Sequence, residues 1–134
     1  MDTRTRSHLE AALAGEALAA LRYHLFAQRA GEEGFSGIAA LFEEIGAQER
    51  REHFTEIAEL LGLVGSTREN LEIALAGEVT EHHRLYPAYA GEAHRAGDDE
   101  AAERFVELGG DEHRHAELLR DALRELDARK VGIA

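Results

Sequence analysis

Apolar side chains recur at intervals of three and four along most of the chain, the spacing that gathers residues on one face of an α-helix. Leu9, Leu13, Ala20, Tyr23 and Ala27 form one stripe, and Ile38, Phe42, Ile45, Ile57 and Leu60 form a second. Leu71, Leu75, Leu85 and Tyr89 make a third, and Ala101, Phe105, Leu108, Leu119 and Leu126 a fourth. Alanine, leucine, glutamate and arginine dominate while β-branched residues are scarce, so summed propensity favours helix nearly throughout. The stripes are separated at Gly31-Glu32-Glu33-Gly34, at Gly62-Leu63-Val64-Gly65-Ser66 and at Gly97-Asp98-Asp99. Ser66 followed by Glu69 is a capping-box start for the third segment. Four segments of roughly 25 to 30 residues, at ~1.5 Å per residue, predict an all-α protein built as a four-helix bundle.

The first two segments repeat in the last two. Leu9-Glu10-Ala11-Ala12-Leu13-Ala14-Gly15-Glu16 returns as Leu71-Glu72-Ile73-Ala74-Leu75-Ala76-Gly77-Glu78, a shift of 62 residues. Two copies are too few for a solenoid, but two helical hairpins can close around a pseudo-twofold axis, where each half supplies matching groups.

Polar residues interrupt the stripes at related places. Glu16 lies in the first, Glu49 and His53 in the second, Glu78 and His82 in the third with Glu81 one turn from Glu78, and Glu112 with His115 in the fourth. Unpaired buried carboxylates cost several kcal/mol each, and no lysine or arginine occupies these faces to offset them. Two divalent cations would supply the missing charge. A glutamate from each of two helices with a Glu/His pair from each of the other two is the donor arrangement of carboxylate-bridged dimetal bundles. Oxygen-rich ligation with one imidazole per metal suits iron or manganese better than zinc or copper. His8, His24, His83, His94 and His113 fall off the stripes or near ends and read as solvated, and His82 reads equally as packing or as support to the site.

Composition narrows the field. The 134 residues, 44% of them apolar, suit one domain over 1–134 with one core. A formal charge of −12 repels nucleic acid and anionic lipid. With no cysteine there is no disulfide, thiolate metal site or thiol nucleophile. The opening Met1-Asp2-Thr3-Arg4-Thr5-Arg6 lacks an apolar signal region, which gives the expectation of a cytoplasmic protein without a membrane partner.

From Leu9 to Leu126 the chain resembles the rubrerythrins of the ferritin-like superfamily. The resemblance is carried by Ala14-Gly15-Glu16 with Tyr23, and by Glu33-Gly34-Phe35 with Ile38-Ala39-Ala40-Leu41-Phe42-Glu43-Glu44. It continues in Ala76-Gly77-Glu78 with Glu81-His82 and Tyr86-Pro87, and in Glu112-His113-Arg114-His115. It implies a ferritin-like four-helix bundle of two repeated hairpins and a non-haem di-iron centre, with manganese as a second possible metal. It implies the ligands Glu16, Glu49, His53, Glu78, Glu81, Glu112 and His115, with Glu49 and Glu112 bridging. It also implies peroxidase activity on hydrogen peroxide, with Glu81 reaching one iron on oxidation and the hydroxyls of Tyr23 and Tyr86 hydrogen-bonding ligating carboxylates. A homodimer is expected on the same ground.

Two departures matter. Family members usually carry a rubredoxin-like domain whose four cysteines hold an electron-transferring iron, and this chain has no cysteine, so an external donor protein is expected. In the second segment the family's Glu-x-x-His is replaced by Glu49-Arg50-Arg51-Glu52-His53. Ungapped counting puts Glu52 in the histidine's place, whereas the apolar register of Phe54, Ile57, Leu60 and Leu61 selects His53 after a one-residue insertion. The steps from Ile38 through Glu49 and His53 to Leu60 average ~3.7 residues against 3.6 per turn, so a local widening to i→i+5 hydrogen bonding is predicted between Ile45 and Ile57. Two other chemistries fit a dimetal centre. One is dioxygen activation toward a small organic substrate, motivated by Gly46-Ala47 and Gly109-Gly110 ahead of Glu49 and Glu112, and the other is iron oxidation and storage.

Overall fold

The computed structural model of the chain describes residues 1–131. Its elements are α1 (Thr3–Glu32), α2 (Ser36–Gln48), a π-helical turn π1 (Glu49–Phe54), α3 (Thr55–Leu61), α4 (Thr67–Thr80), a second π-helical turn π2 (Glu81–Leu85), α5 (Tyr86–Ala96) and α6 (Asp99–Val131). Backbone angles are helical at both ends of each π turn, and helix runs through each without a break. The segment from α2 to α3 is therefore one continuous helix, and so is that from α4 to α5. With α1 and α6 they make the four helices of an all-α fold, paired as two repeated hairpins of the ferritin-like class.

The breaks follow from side-chain chemistry. Asp2 caps α1 by accepting from the Arg4 amide at 3.2 Å. Ser66 and Glu69 form the reciprocal capping box, with the Ser66 amide donating to Glu69 Oε2 at 2.7 Å. At the other ends, Gly62 and Gly97 take φ of 64° and 85°, the left-handed conformation that closes a helix at little cost only for glycine. The amides beyond them, of Leu63 and Asp98, turn back onto the Ala58 and Ala93 carbonyls at 2.9 Å.

Contacts group the chain into two units, Met1–Val64 and a second beginning at Gly65. In the first, α1 packs on α2, π1 and α3. Its buried residues are small, Ala27, Ala30, Ala58 and Gly46, which lets the helices approach closely. Tyr23, Phe26 and Phe42 form an aromatic cluster in which Tyr23 and Phe42 stack at 5.9 Å. In the second unit α6 packs on α4, π2 and α5. Here Ala102, Gly109 and Ala116 are buried, and Tyr86, Tyr89 and Phe105 repeat the cluster, with Tyr86 and Phe105 stacked at 6.1 Å. The repeat read in the sequence is thus a repeat of packing.

The stripes face the partner helix within each unit along most of their length. Leu9, Leu13, Glu16, Ala20, Tyr23 and Ala27 are all at least partly buried. The stripes fail at their ends, where Ile38, Leu60, Tyr89 and Ala101 are exposed and Leu61 and Ala102 take the inward places instead of their neighbours. Among the described residues no helix is long and apolar enough to cross a membrane.

Candidate metal centre

In the first unit α1 presents Glu16, and π1 presents Glu49 and His53. His53 Nδ1 lies 2.7 Å from Glu49 Oε2 and 3.6 Å from Glu16 Oε2. In the second unit α4 presents Glu78, and α6 presents Glu112 and His115. His115 Nδ1 lies 2.7 Å from Glu112 Oε2 and 3.5 Å from Glu78 Oε2. Each group brings two carboxylates and one imidazole together, with one ligand atom of each residue within 4.8 Å of the others. Glu49 and Glu112 are the most shielded members, their side chains 17% and 12% exposed.

The electrostatics of the two groups repeat as well. A hydrogen bond shared with Glu49 raises the Glu16 carboxyl above its usual range, helped by burial, and that same bond holds Glu49 below it. Glu78 is raised by its bond with Glu112, then by burial, while Glu112 is lowered by that bond. Both imidazoles are raised, His53 by its bond to Glu49 and His115 by its bond to Glu112. Each group therefore pairs a carboxyl shifted upward with one shifted downward, beside an imidazole shifted upward.

Glu78 Oε2 is buried without a hydrogen-bond partner. This oxygen is withdrawn from water with His115 Nδ1 3.5 Å away, and a cation held between the carboxylates and the imidazole would complete it. Two carboxylates and an imidazole per unit, with no thiolate, fit an iron or manganese ion in each group.

Glu81, on π2, stands outside the close group, yet near enough for its charge to help raise Glu78. The Tyr86 phenol is raised by burial first and then by the charges of Glu81, Glu112 and Glu78, which lie close enough to act on it. Tyr23 stacks on Phe42 beside the first group. Among the described residues neither tyrosine hydroxyl hydrogen-bonds a carboxylate. Glu52 is turned away from the first group and accepts from Gln48 Nε2 at 3.1 Å.

The widening expected between Ile45 and Ile57 is found at π1. The Thr55 hydroxyl donates to the Arg50 carbonyl at 3.1 Å, bonding an acceptor five residues back. The second widening, π2, is absent from the periodicity argument, but spacing within the repeat marks it. Glu16 and Tyr23 are seven positions apart where Glu78 and Tyr86 are eight, just as Glu49 and His53 are four apart where Glu112 and His115 are three. Each unit holds one residue more than its counterpart at a different place, and a π turn absorbs each. Pro87 adds a local cause at π2, because it has no amide to donate into the α-helical ladder.

Two hairpins, each bearing a carboxylate pair and a histidine on facing helices, define the class of ferritin-like carboxylate metalloproteins. Within that class the rubrerythrin family model matches residues 7–123, and the chain belongs to the rubrerythrin family. It is 38% identical over 126 residues to the rubrerythrin of Porphyromonas gingivalis, a match covering 84% of this chain and 62% of that protein. It therefore spans about three fifths of that relative's length. It is 30% identical to the rubrerythrin of Nitratidesulfovibrio vulgaris, over 96% of this chain and 74% of the relative. A solved structure of nigerythrin in a mixed-valence state is 32% identical, covers 92% of this chain and 68% of that one, and has a TM-score of 0.47.

Proposed function

We propose that the two units act as one di-iron domain that reduces hydrogen peroxide to water with electrons from a separate donor protein. The observation that carries this reading is the pair of matched groups, Glu16/Glu49/His53 and Glu78/Glu112/His115, in a member of the rubrerythrin family. Those six residues would hold two iron ions, with manganese as the substitute metal, and Glu81 would add a further carboxylate on the side of the second group. When bound, the two ferrous ions supply the two electrons that convert one peroxide and two protons into two waters.

The chain's own residues then have defined work. Glu49 and Glu112, held acidic by their hydrogen bonds, stay ionised and offer negative charge to cations. Metal entry would compete with protons at Glu16, Glu78, His53 and His115, whose ionisation their neighbours shift upward. Tyr86, its phenol held protonated, can donate a hydrogen bond into the second group. With no cysteine in these 134 residues, electrons come from a group outside them. In this reading the protein works in the cytoplasm as a homodimer.

The alternative of an organic substrate entering over the glycines is not favoured by the packing at Gly46, whereas a Cβ would meet only ordinary contact at Gly109 and open space at Gly110. A Cβ at Gly46 would meet Tyr23 Cβ at 3.2 Å and the Ala20 carbonyl at 3.3 Å, so the space is already taken. The test is peroxide consumption by the iron-loaded, chemically reduced protein under anaerobic conditions with excess reductant. Many turnovers per chain are expected. Uptake of many irons per chain without peroxide turnover would establish storage instead, and peroxide consumption unchanged in Glu49→Ala and Glu112→Ala would refute the site. Size-exclusion chromatography with light scattering checks the dimer.

A further inference from the structure

One polar contact of the second unit lies outside its metal group and joins π2 to α6. His82 Nδ1 is 2.7 Å from the carbonyl oxygen of Gly109, in a half-buried position. A carbonyl can only accept, so Nδ1 carries the proton and donates. The ring is packed between those of His83 and His113, with centroids 4.5 and 4.7 Å away. Gly109 is buried three positions before Glu112, and a Cβ on it would lie 3.5 Å from Tyr86 Cβ. His82 within π2 and Tyr86 just after it thus bear on one residue of α6.

The first unit has no counterpart of this bond. Ala20 stands 62 positions before His82, and α1 passes it as unbroken α-helix, packed directly on Gly46. The bond therefore occurs where the chain carries its extra residue between Glu78 and Tyr86. A π turn is one residue of slack, and the ladder alone sets no strong preference for which residue takes it up. A fixed side-chain bond to the neighbouring helix does set one, and the residue immediately before His82 is Glu81.

We propose that His82 is a positioning residue: its imidazole pins the widened turn to the Gly109 carbonyl and so fixes Glu81 toward the second metal group. This rests on the metal-centre reading above. Without the pin the slack can shift along the helix by a residue, which rotates Glu81 away while leaving Glu78 on α4 in place.

The test compares His82→Leu, which removes the donor, with His82→Asn, whose amide can donate from nearly the same position. In the metal-free protein, hydrogen exchange at the amides of Glu81–Tyr86 is expected to speed about tenfold in His82→Leu, the effect of about one lost hydrogen bond, and to return toward wild type in His82→Asn. In cobalt titrations His82→Leu should weaken one of the two ions ten- to hundredfold and change its visible ligand-field bands, with His82→Asn restoring both. Wild-type exchange in His82→Leu overturns the proposal, and so does faster exchange with wild-type cobalt spectra, because π2 would then be pinned without placing Glu81. Failure of the unmodified protein to bind cobalt at all refutes the metal-centre reading itself, a result separate from any difference between the variants. Circular dichroism on each variant identifies a loss of fold.

Discussion

Gly46 and Gly109 occupy the same place in the repeat, yet alanine should have opposite effects at the two. Each sits inside a helix, where replacing glycine by alanine contributes up to ~1 kcal/mol through backbone entropy. At Gly109 the new methyl would make ordinary contact, 3.5 Å from Tyr86 Cβ, so the gain stands. At Gly46 it would lie 3.2 Å from Tyr23 Cβ and 3.3 Å from the Ala20 carbonyl. Both neighbours are fixed to the α1 backbone and no rotamer change relieves them, so the helices must part by a few tenths of an ångström, an overpacking cost of ~1–3 kcal/mol. Gly46→Ala should therefore be destabilised by up to ~2 kcal/mol while Gly109→Ala is stabilised by up to ~1 kcal/mol. At about 4 °C per kcal/mol for a chain of this size, the two variants should melt ~4–12 °C apart at equal protein concentration. Because Gly46 lies three residues before Glu49, parting the helices also draws Glu49 from Glu16, and Gly46→Ala should bind ferrous iron or cobalt more weakly. Differential scanning calorimetry and metal titration measure both effects. A Gly46→Ala protein that melts at or above Gly109→Ala with unchanged metal affinity would show that the close approach does not constrain the helices.

Glu112→Ala removes the most shielded carboxylate and leaves His115 without its 2.7 Å acceptor, so loss of at least one of two metals per chain is expected in elemental analysis. The metal-free protein should lose stability as pH rises: the raised His53 and His115 stabilise it fully below 6.5 and cease to do so as pH climbs through their folded values. The raised Glu16 and Glu78 change stability in the same direction from 4.5 upward, whereas the lowered Glu49 and Glu112 stabilise above 4.5 and stop doing so only in acid. Melting temperatures of the apo protein should accordingly fall as pH rises past 6.5, and a flat profile there would contradict the hydrogen bonding of the two groups. Deleting Glu52 should convert π1 to regular α-helix and keep His53 in register with Glu49, so metal stoichiometry is retained, whereas Glu52 as a ligand would make the deletion lose metal.

Much of this was legible in the chain because helical faces, glycine breaks and a capping box act locally. The stripes correctly place Glu16, Glu49, Glu78 and Glu112 inward, since each follows an apolar residue three or four positions earlier, Leu13, Ile45, Leu75 and Leu108. π1 was legible because downstream apolar residues keep their face only if one residue is absorbed. π2 left no such trace: Leu85 and Tyr89 continue a plausible stripe from His82, and only comparison between the two copies exposes the extra residue. Stripe ends were misjudged at Ile38, Leu60, Tyr89 and Ala101, because periodicity says which way a side chain points but not how far the neighbouring helix extends to cover it. His24 and His94 are exposed, as their places off the stripes lead one to expect, and there they bond Glu43 at 3.2 Å and Asp99 at 3.0 Å, pairings that depend on helix placement or loop geometry rather than on pattern.

The two π turns also bear on how this chain tolerates changes in length. One residue added to a regular α-helix rotates everything beyond it by about 100°, which would turn a buried face toward water for the rest of the helix. Here the extra residue is absorbed within Glu49–Phe54 in one unit and Glu81–Leu85 in the other, and the helix beyond resumes its register. An insertion that would ordinarily be a lesion along the whole helix becomes a local edit beside the carboxylates. Single-residue insertions and deletions within these turns thus offer a way to vary one side chain's place in the site while the packing of both hairpins stays as it is.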